Sequence, residues 1–412
     1  MTTVIVGAGA IGLSCGYELA QRGEPVVVVE KGRLGRACSE GNAGWITPSL
    51  SEPVPAPGLV STSLKWMLSK DSPLYIAPSA VPGLARWLFR FWRHCNRADF
   101  LAGFRATSAL NRLTLPLFDE LAADGFPIEL HRRGLLFTFL NRKKSEAVRA
   151  NFSVLGEYGY RMPEPLDGDA LRALEPVLSD AVSAGFLVDH EYHVRPETLS
   201  LAYAERIRAL GGEVREEVEV LGPARDNGRV AGVETSAGSI PARRILIAAG
   251  AWSGRVAERF GVRLPVTAGK GYSFTVSAPP RFSRPLYLGE VKVGSTPFEG
   301  AYRFAGTMEL SGVNERMDRR RIDGIRRVIG RYFREPVADG ASREWVGMRP
   351  MTPDGLPLLG QVAGRENLFV ATGHAMLGIT LAPATGRVMS ELMIGTAPSA
   401  PIAPFAPGRF NW

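Results

Sequence analysis

The sequence predicts an α/β chain with a second, α+β domain, and three observations carry that prediction. A strand, a glycine-rich turn, a helix and a second strand fill the first thirty residues. Strand and helix patterns of the same kind return after residue 194 and again near the C-terminus. Between those returns, the stretch from Leu264 to Val346 alternates like an antiparallel sheet. At 412 residues the chain is longer than one ordinary core encloses, so two domains are expected. Hydrophobic residues at 45% and charged residues at 22% are average globular usage and exclude disordered and fibrous classes. The separated returns predict one domain from residues 1–45, 194–262 and 346–412, with residues 46–193 and 263–345 forming the other.

The first unit reads as a strand at Thr3–Val6, a helix over about Leu13–Arg22 and a strand at Val26–Glu30. Pro and Ser enrich residues 53–82, as in a long surface connection. Helical patterns fill much of Gly83–Ala123, followed by a strand at Gly134–Leu140 and a helix at about Lys143–Tyr158. Pro196 and Glu197 suit a first helical turn. Leu199, Tyr203, Ile207 and Leu210 make one apolar stripe, and Gly211-Gly212 ends that helix. Strands follow at Glu213–Val220, Val230–Glu234 and Arg244–Ala248, with Asp226-Asn227-Gly228 and Ala237-Gly238 as turns. A strand at Asn367–Ala371 and a helix at about Ala384–Ile394 close the chain.

Val4-Ile5-Val6-Gly7-Ala8-Gly9-Ala10-Ile11-Gly12 holds G-x-G-x-x-G between strand and helix. Gly7 permits the tight turn, Gly9 leaves room for a pyrophosphate against backbone N–H groups, and Gly12 brings helix and strand close. The positive end of the helix then faces the phosphates. Glu30 ends the second strand, placed for a ribose hydroxyl. Together these predict a Rossmann-type dinucleotide site. The small and polar segment Cys38-Ser39-Glu40-Gly41-Asn42-Ala43-Gly44-Trp45 suits an extended flavin running past the first unit better than NAD.

With those residues in view, the chain resembles the family of FAD-dependent amino-acid oxidoreductases that includes D-amino acid oxidase, glycine and sarcosine oxidases and bacterial D-amino acid dehydrogenases. The last branch is nearest. The resemblance rests on Ser39–Trp45, Leu64-Lys65-Trp66-Met67, Lys270-Gly271-Tyr272-Ser273, Gly306-Thr307-Met308-Glu309, Gly347–Gly355 and Thr372–Thr380. It implies non-covalent FAD, because the cysteine that carries flavin in sarcosine oxidases beside the Gly-x-Arg-Pro block is lacking here. It places Gly7, Gly9, Ala10, Ile11, Gly12, Glu30 and Lys31 along the ADP moiety. Ser39, Ala43, Gly44 and Trp45 would run toward the flavin, and the backbone of Val218 would read the adenine. Gly250 ends a second glycine-terminated strand. Gly373, His374, Met376, Leu377, Gly378, Ile379 and Thr380 would lie against the flavin's pyrimidine end, where fixed amides stabilise charge on the reduced ring.

For the substrate, the resemblance assigns Arg349 as the carboxylate anchor, since a guanidinium fork fixes orientation as well as charge. Tyr272 and His374 are further candidates, each equally readable as packed structure. The implied reaction moves hydride from Cα to flavin N5, giving an imine that water hydrolyses to a keto acid. Met376 stands where glycine oxidases carry a second arginine, which predicts a larger, less polar substrate side chain. A small D-amino acid, of D-proline or hydroxyproline type among others, is expected. A glycine or sarcosine-type N-alkyl amino acid and a non-catalytic flavin-binding subunit are the alternatives.

Lys and Arg number 49 against 41 Asp and Glu, for a net charge of +8, but the basic residues are dispersed and no nucleic-acid motif accompanies them. Asp318–Ile329 reads as a helix with its arginines in solvent and Ile322, Ile325 and Ile329 inward. Arg86-Trp87-Leu88-Phe89-Arg90-Phe91-Trp92-Arg93 reads either as an interfacial helix on anionic lipid or as a helix packing its aromatics on its own core. The electron acceptor is expected to be a quinone, another carrier or oxygen. Three scattered cysteines, no metal-ligand spacing and no membrane-length apolar run fit a cytoplasmic protein, peripheral to the inner membrane face if the aromatic helix binds lipid. Oligomeric state is left open.

Overall fold

A computed structural model describes residues 2–59, 72, 74–337, 340 and 342–410. Leu64–Met67 lie outside the described residues. The N-terminal unit forms as expected: Thr3–Val6, the helix Ala10–Gln21 and Val26–Val29. Four consecutive valines make the second strand, whose β-branched side chains fit a sheet covered on both faces. The first sheet orders Glu213–Arg215, Val26–Val29, Thr3–Val6, Arg244–Ile247, Leu368–Thr372 and Leu358–Gln361. All its pairs are parallel except the last.

On one face of this sheet, Ala10–Gln21 packs between the helices Pro196–Ala209 and Ala382–Ile394. Small residues set the spacing. A Cβ on Gly386 would stand 2.2 Å from Ser14 Oγ, and one on Gly16 would stand 3.0 Å from Ile207 Cδ1. The other face buries Val4, Val6, Val27 and Val29 with Ile245, Ile247 and Val370.

The second large sheet is mixed. It orders Ser342–Met351, Thr267–Val276, Ala301–Leu310, Val293–Phe298, Leu286–Leu288, Leu135–Phe139, Ala184–Val188 and Leu166–Asp167, with Leu74–Ile76 paired to the end of Ala301–Leu310. The helix Arg319–Ile329 lays Ile322, Ile325 and Ile329 on it and leaves Arg319 and Arg320 in solvent.

Two expected elements are broken. The strand expected over Glu213–Val220 stops at Arg215, and pairing resumes only at Val220, because Glu217 turns left-handed at φ 59°. The helix expected over Lys143–Tyr158 is Arg142–Arg149 and then a separate turn at Phe152–Leu155.

Candidate functional site

A single cavity of about 1310 Å³ runs between the two large sheets, from the glycine turn at Gly7 to the strand that carries Arg349. Typical small-ligand pockets span roughly 300–1,000 Å³, so this volume suits a dinucleotide with a small co-substrate.

At one end, Gly7 adopts φ 113°, and a Cβ there would stand 2.6 Å from Ala248 O. Gly9 caps the first helix without a side-chain cap and borders the cavity with Ala10 and Ile11. Gly12 does not border it. A Cβ on Gly12 would stand 2.0 Å from Gly7 O, so its role is close packing of helix on turn, and its placement along the ligand is corrected. Glu30 borders the cavity with both oxygens fixed: Oε2 accepts from Ala8 N and Oε1 from Gly32 N, each at 2.9 Å. A carboxylate has further lone pairs, so a hydroxyl donor can still be received. Lys31, exposed, pairs with Glu219 at 3.4 Å, and Val218 N donates to Glu30 O at 2.8 Å. Lys31, Val218 and Gly250 all line the cavity.

The segment Ser39–Trp45 crosses the middle. Ser39 Oγ accepts from Ala10 N at 3.0 Å, tying the segment to the first helix. Gly44 turns at φ 71° with no room for a side chain, a Cβ meeting Val194 O at 2.1 Å. Trp45 donates from Nε1 to Thr296 Oγ1 at 2.9 Å. Two residues that the sequence reading missed pin this run to the second sheet. Buried Arg303 donates from Nη1 to Glu40 O at 2.9 Å and Asn42 O at 2.8 Å, and Ser273 Oγ donates to Gly41 O at 2.6 Å. No local pattern announces them, because their partners lie more than 200 residues away.

At the far end, Arg349 projects from Ser342–Met351 across Gly271, whose Cβ, if present, would stand 2.4 Å from Nη2 and 2.5 Å from Cζ. Its Nη1 donates to Thr307 O at 2.8 Å. Among the described residues it makes no ion pair. Burial lowers its pKa, yet a guanidinium stays charged, leaving N–H donors for an anion.

Thr307, within the Gly306–Glu309 block, is a site residue that no local pattern marks as one. It sits left-handed at φ 58° with its Oγ1 buried and unpartnered. Tyr272 borders the cavity and donates to Glu309 Oε2 at 2.7 Å, and Glu309 Oε1 accepts from buried Lys270 at 3.2 Å. Burial and Glu309 raise the phenol's pKa, so it stays protonated. His374, also at the wall, shares a hydrogen bond with Thr385 Oγ1 at 3.0 Å, and burial pulls it down to about 3. Burial therefore favours the neutral imidazole near pH 7.

Met376, Leu377, Gly378, Ile379 and Thr380 line the wall just before the helix Ala382–Ile394, with Met376 59% exposed. Gly373 lies off the cavity, and its position at the ligand is corrected. At φ 82° it turns the chain where a Cβ would meet Thr352 Cγ2 at 2.7 Å.

The aromatic helix Val81–His94 divides its faces. Leu84 and Trp87 are buried, with Trp87 Nε1 donating to Pro265 O at 3.1 Å, while Phe89 and Trp92 are 57% and 56% exposed. Trp87, Leu88, Phe91 and Trp92 border the cavity. No helix among the described residues is long and apolar enough to cross a membrane, and these residues hold no cluster of metal-ligating side chains.

A family model described as FAD dependent oxidoreductase matches residues 2–392. A D-amino acid dehydrogenase of Xanthobacter autotrophicus is 31% identical, the match covering 100% of this chain and 99% of that protein. Among solved structures, glycine oxidase from Geobacillus kaustophilus aligns with TM-score 0.77 at 24% identity, covering 100% of this chain and 99% of that one. L-proline dehydrogenase from P. horikoshii aligns with TM-score 0.76 at 17% identity, covering 99% and 97%. At these identities the structural likenesses speak for the fold.

Proposed function

From the premise that the chain belongs to the family of FAD-dependent oxidoreductases, we propose that it oxidises the Cα–N bond of a small D-amino acid, whose carboxylate is held by Arg349. One observation carries this reading: a cation without an ion-pair partner among the described residues, fixed at the end of the cavity that begins at the glycine turn. The cavity fits FAD. Its volume, the first helix beginning at the cavity wall and the side-chain-free turn at Gly9 accommodate the dinucleotide, with Glu30 at the ribose and Ser39–Trp45 toward the ring. No cysteine adjoins Arg349 along the sequence, and although Cys38 lines the same cavity, burial raises its pKa and keeps it a thiol, so the binding is read as non-covalent. FAD, when bound, supplies the acceptor for a hydride from Cα, and the resulting imine hydrolyses to a keto acid.

What the chain contributes is position. Thr307 O holds one guanidinium nitrogen and so orients the fork, and the remaining N–H groups grip the carboxylate. Tyr272, with its proton committed to Glu309, offers the cavity a ring wall and oxygen lone pairs. The Gly378–Thr380 backbone precedes a helix whose N-terminal end carries partial positive charge, which favours an anion at that wall. The same reading makes residues 1–45, 194–262 and 352–412 the FAD-binding part, the boundary expected at 346 being corrected because it falls inside Ser342–Met351, which pairs along its length in the second sheet. It makes the exposed Phe89–Trp92 face, flanked by arginines, a contact for anionic lipid beside which a membrane quinone would accept electrons.

Anaerobic titration of the purified flavoprotein with D-, L- and N-methyl amino acids tests the proposal. Bleaching of the flavin band by D-amino acids is expected. Bleaching by glycine and sarcosine alone would move the reading to N-alkyl substrates, and a chromophore that none of them reduces would overturn it.

A further inference from the structure

Two residues other than glycine sit left-handed beside the cavity: Lys292 at φ 54°, ending the turn that leads into Val293–Phe298, and Thr307 at φ 58°, on the neighbouring strand Ala301–Leu310. The antiparallel register pairs Gly294 with Ala305, which sets Lys292 across from Thr307. A Cβ on Gly306 would stand 3.5 Å from Lys292 O, so the two backbones meet there. Left-handed backbone at such residues is strained, and such strain persists where the surroundings impose it, characteristically at binding sites. Thr307 shows its use by aiming its carbonyl at Arg349. Lys292 takes no part in that contact.

Lys292 lines the cavity, and its side chain is accessible. Its ammonium lies 5.4 Å from the centroid of the Tyr287 ring, which is itself held edge-on by Trp45 and Phe137. Among the described residues Lys292 forms no ion pair within 4.0 Å. The neighbouring carboxylates differ. Glu290 is spent on Leu140 N, Asn141 N and Tyr332 OH. Glu52 lines the cavity and takes one hydrogen bond, from Asn151 Nδ2 to Oε1 at 2.7 Å. One wall therefore presents a pure donor at Lys292 and an acceptor at Glu52, beside the residue that holds the carboxylate anchor.

We propose that Lys292 and Glu52 read the end of the substrate's side chain, and that this end is a carboxamide. The inference rests on Arg349 holding the α-carboxylate. An alkyl side chain would offer neither Lys292 nor Glu52 a hydrogen bond. A carboxylate would meet Glu52, and an ammonium or guanidinium would meet Lys292, each as a like charge. A carboxamide satisfies both, its oxygen accepting from Lys292 and its NH₂ donating to Glu52. This departs from the apolar side chain that Met376 alone suggests.

The test is the ratio of kcat/KM for D-glutamine to that for D-norleucine, measured on the FAD-loaded enzyme. Wild type should favour glutamine, and Lys292→Met should lower the ratio about tenfold or more, the effect of losing a hydrogen bond to a charged group. Lys292→Gly, which also relaxes the left-handed backbone, should do the same and guards against a folding defect in the first variant. Glu52→Gln should raise D-glutamate relative to D-glutamine. A ratio that stays within about twofold in both Lys292 variants, or a wild type that favours norleucine, overturns the inference. If no D-amino acid reduces the wild-type flavin, the parent reading has failed instead.

Discussion

Gly271 gives the sharpest view of how the site is built. Its backbone passes directly under the Arg349 guanidinium, and an alanine Cβ there would approach Nη2 to 2.4 Å and Nη1 and Cζ to 2.5 Å. Ordinary contact begins at 3.4 Å, so in Gly271→Ala the guanidinium must retreat by about 1 Å (3.4 less 2.4). The obstructing atoms are the free end of a side chain rather than backbone, and Gly271 has no left-handed φ, so the strand should tolerate the methyl with little loss of stability. Catalysis should not tolerate it. A displacement of that size can reduce rate by about 100-fold, and losing a charge-assisted hydrogen bond removes roughly 1.5–3 kcal/mol of binding. We expect kcat/KM for the best D-amino acid to fall by about 10–100-fold while Tm stays within a few degrees of wild type. Binding can be isolated with 2-methylalanine, a zwitterion without an α-hydrogen, by titrating the flavin spectrum anaerobically. A Gly271→Ala enzyme with wild-type affinity for that ligand and wild-type turnover would refute the placement of Arg349 at the carboxylate.

Further outcomes follow from the same geometry. Gly12→Ala drives a methyl to 2.0 Å from a backbone oxygen and should destabilise the fold by roughly 1–3 kcal/mol, read as a lower denaturant midpoint. Gly9→Ala meets only Ser39 Oγ at 3.3 Å, so its expected defect is weaker FAD retention on gel filtration with a nearly unchanged apoprotein midpoint. Burial pushes Glu191 up to about 8, so the folded state holds a proton that the unfolded carboxyl releases near pH 4.3. That stabilisation is fully present below about pH 4 and is lost as pH rises through 8, at up to about 1.4 kcal/mol per pH unit. Glu191→Gln should flatten the decline in Tm between pH 5 and 8 relative to wild type, and an identical slope in both proteins would contradict the assignment. Acid precipitation should leave the yellow chromophore in the supernatant; colour in the pellet would mean a covalent flavin.

Local patterns carried much of the fold. The valine run, the glycine turn and the stripe at Leu199, Tyr203 and Ile207 are short-range signals, and strands and helices form there within a few residues of expectation. The predicted site residues Gly7, Gly9, Glu30, Trp45, Tyr272, Arg349 and His374 all border one cavity. What stayed illegible depends on contacts across the chain. Arg349 is held by a carbonyl 42 residues away, and that carbonyl points correctly only because Thr307 is left-handed, which no propensity announces for a β-branched residue. Arg303 pins the Gly41 loop over more than 250 residues. Gly12 and Gly373 misled in the opposite direction. Each belongs to a glycine-rich motif, but its missing side chain makes room for protein rather than for ligand. The aromatic helix satisfied two readings at once, because one face packs and the other is exposed.

Recognition of the α-carboxylate falls, on the proposed function, to Arg349. Comparing anaerobic flavin reduction by D-alanine and by D-alaninamide, in wild type and in Arg349→Met, tests it directly. Wild type should reduce far faster with D-alanine, and the variant should lose most of that preference, because the group removed from the substrate and the group removed from the protein are partners. If Arg349→Met still prefers D-alanine over D-alaninamide by the wild-type factor, the carboxylate is bound elsewhere and the account is wrong.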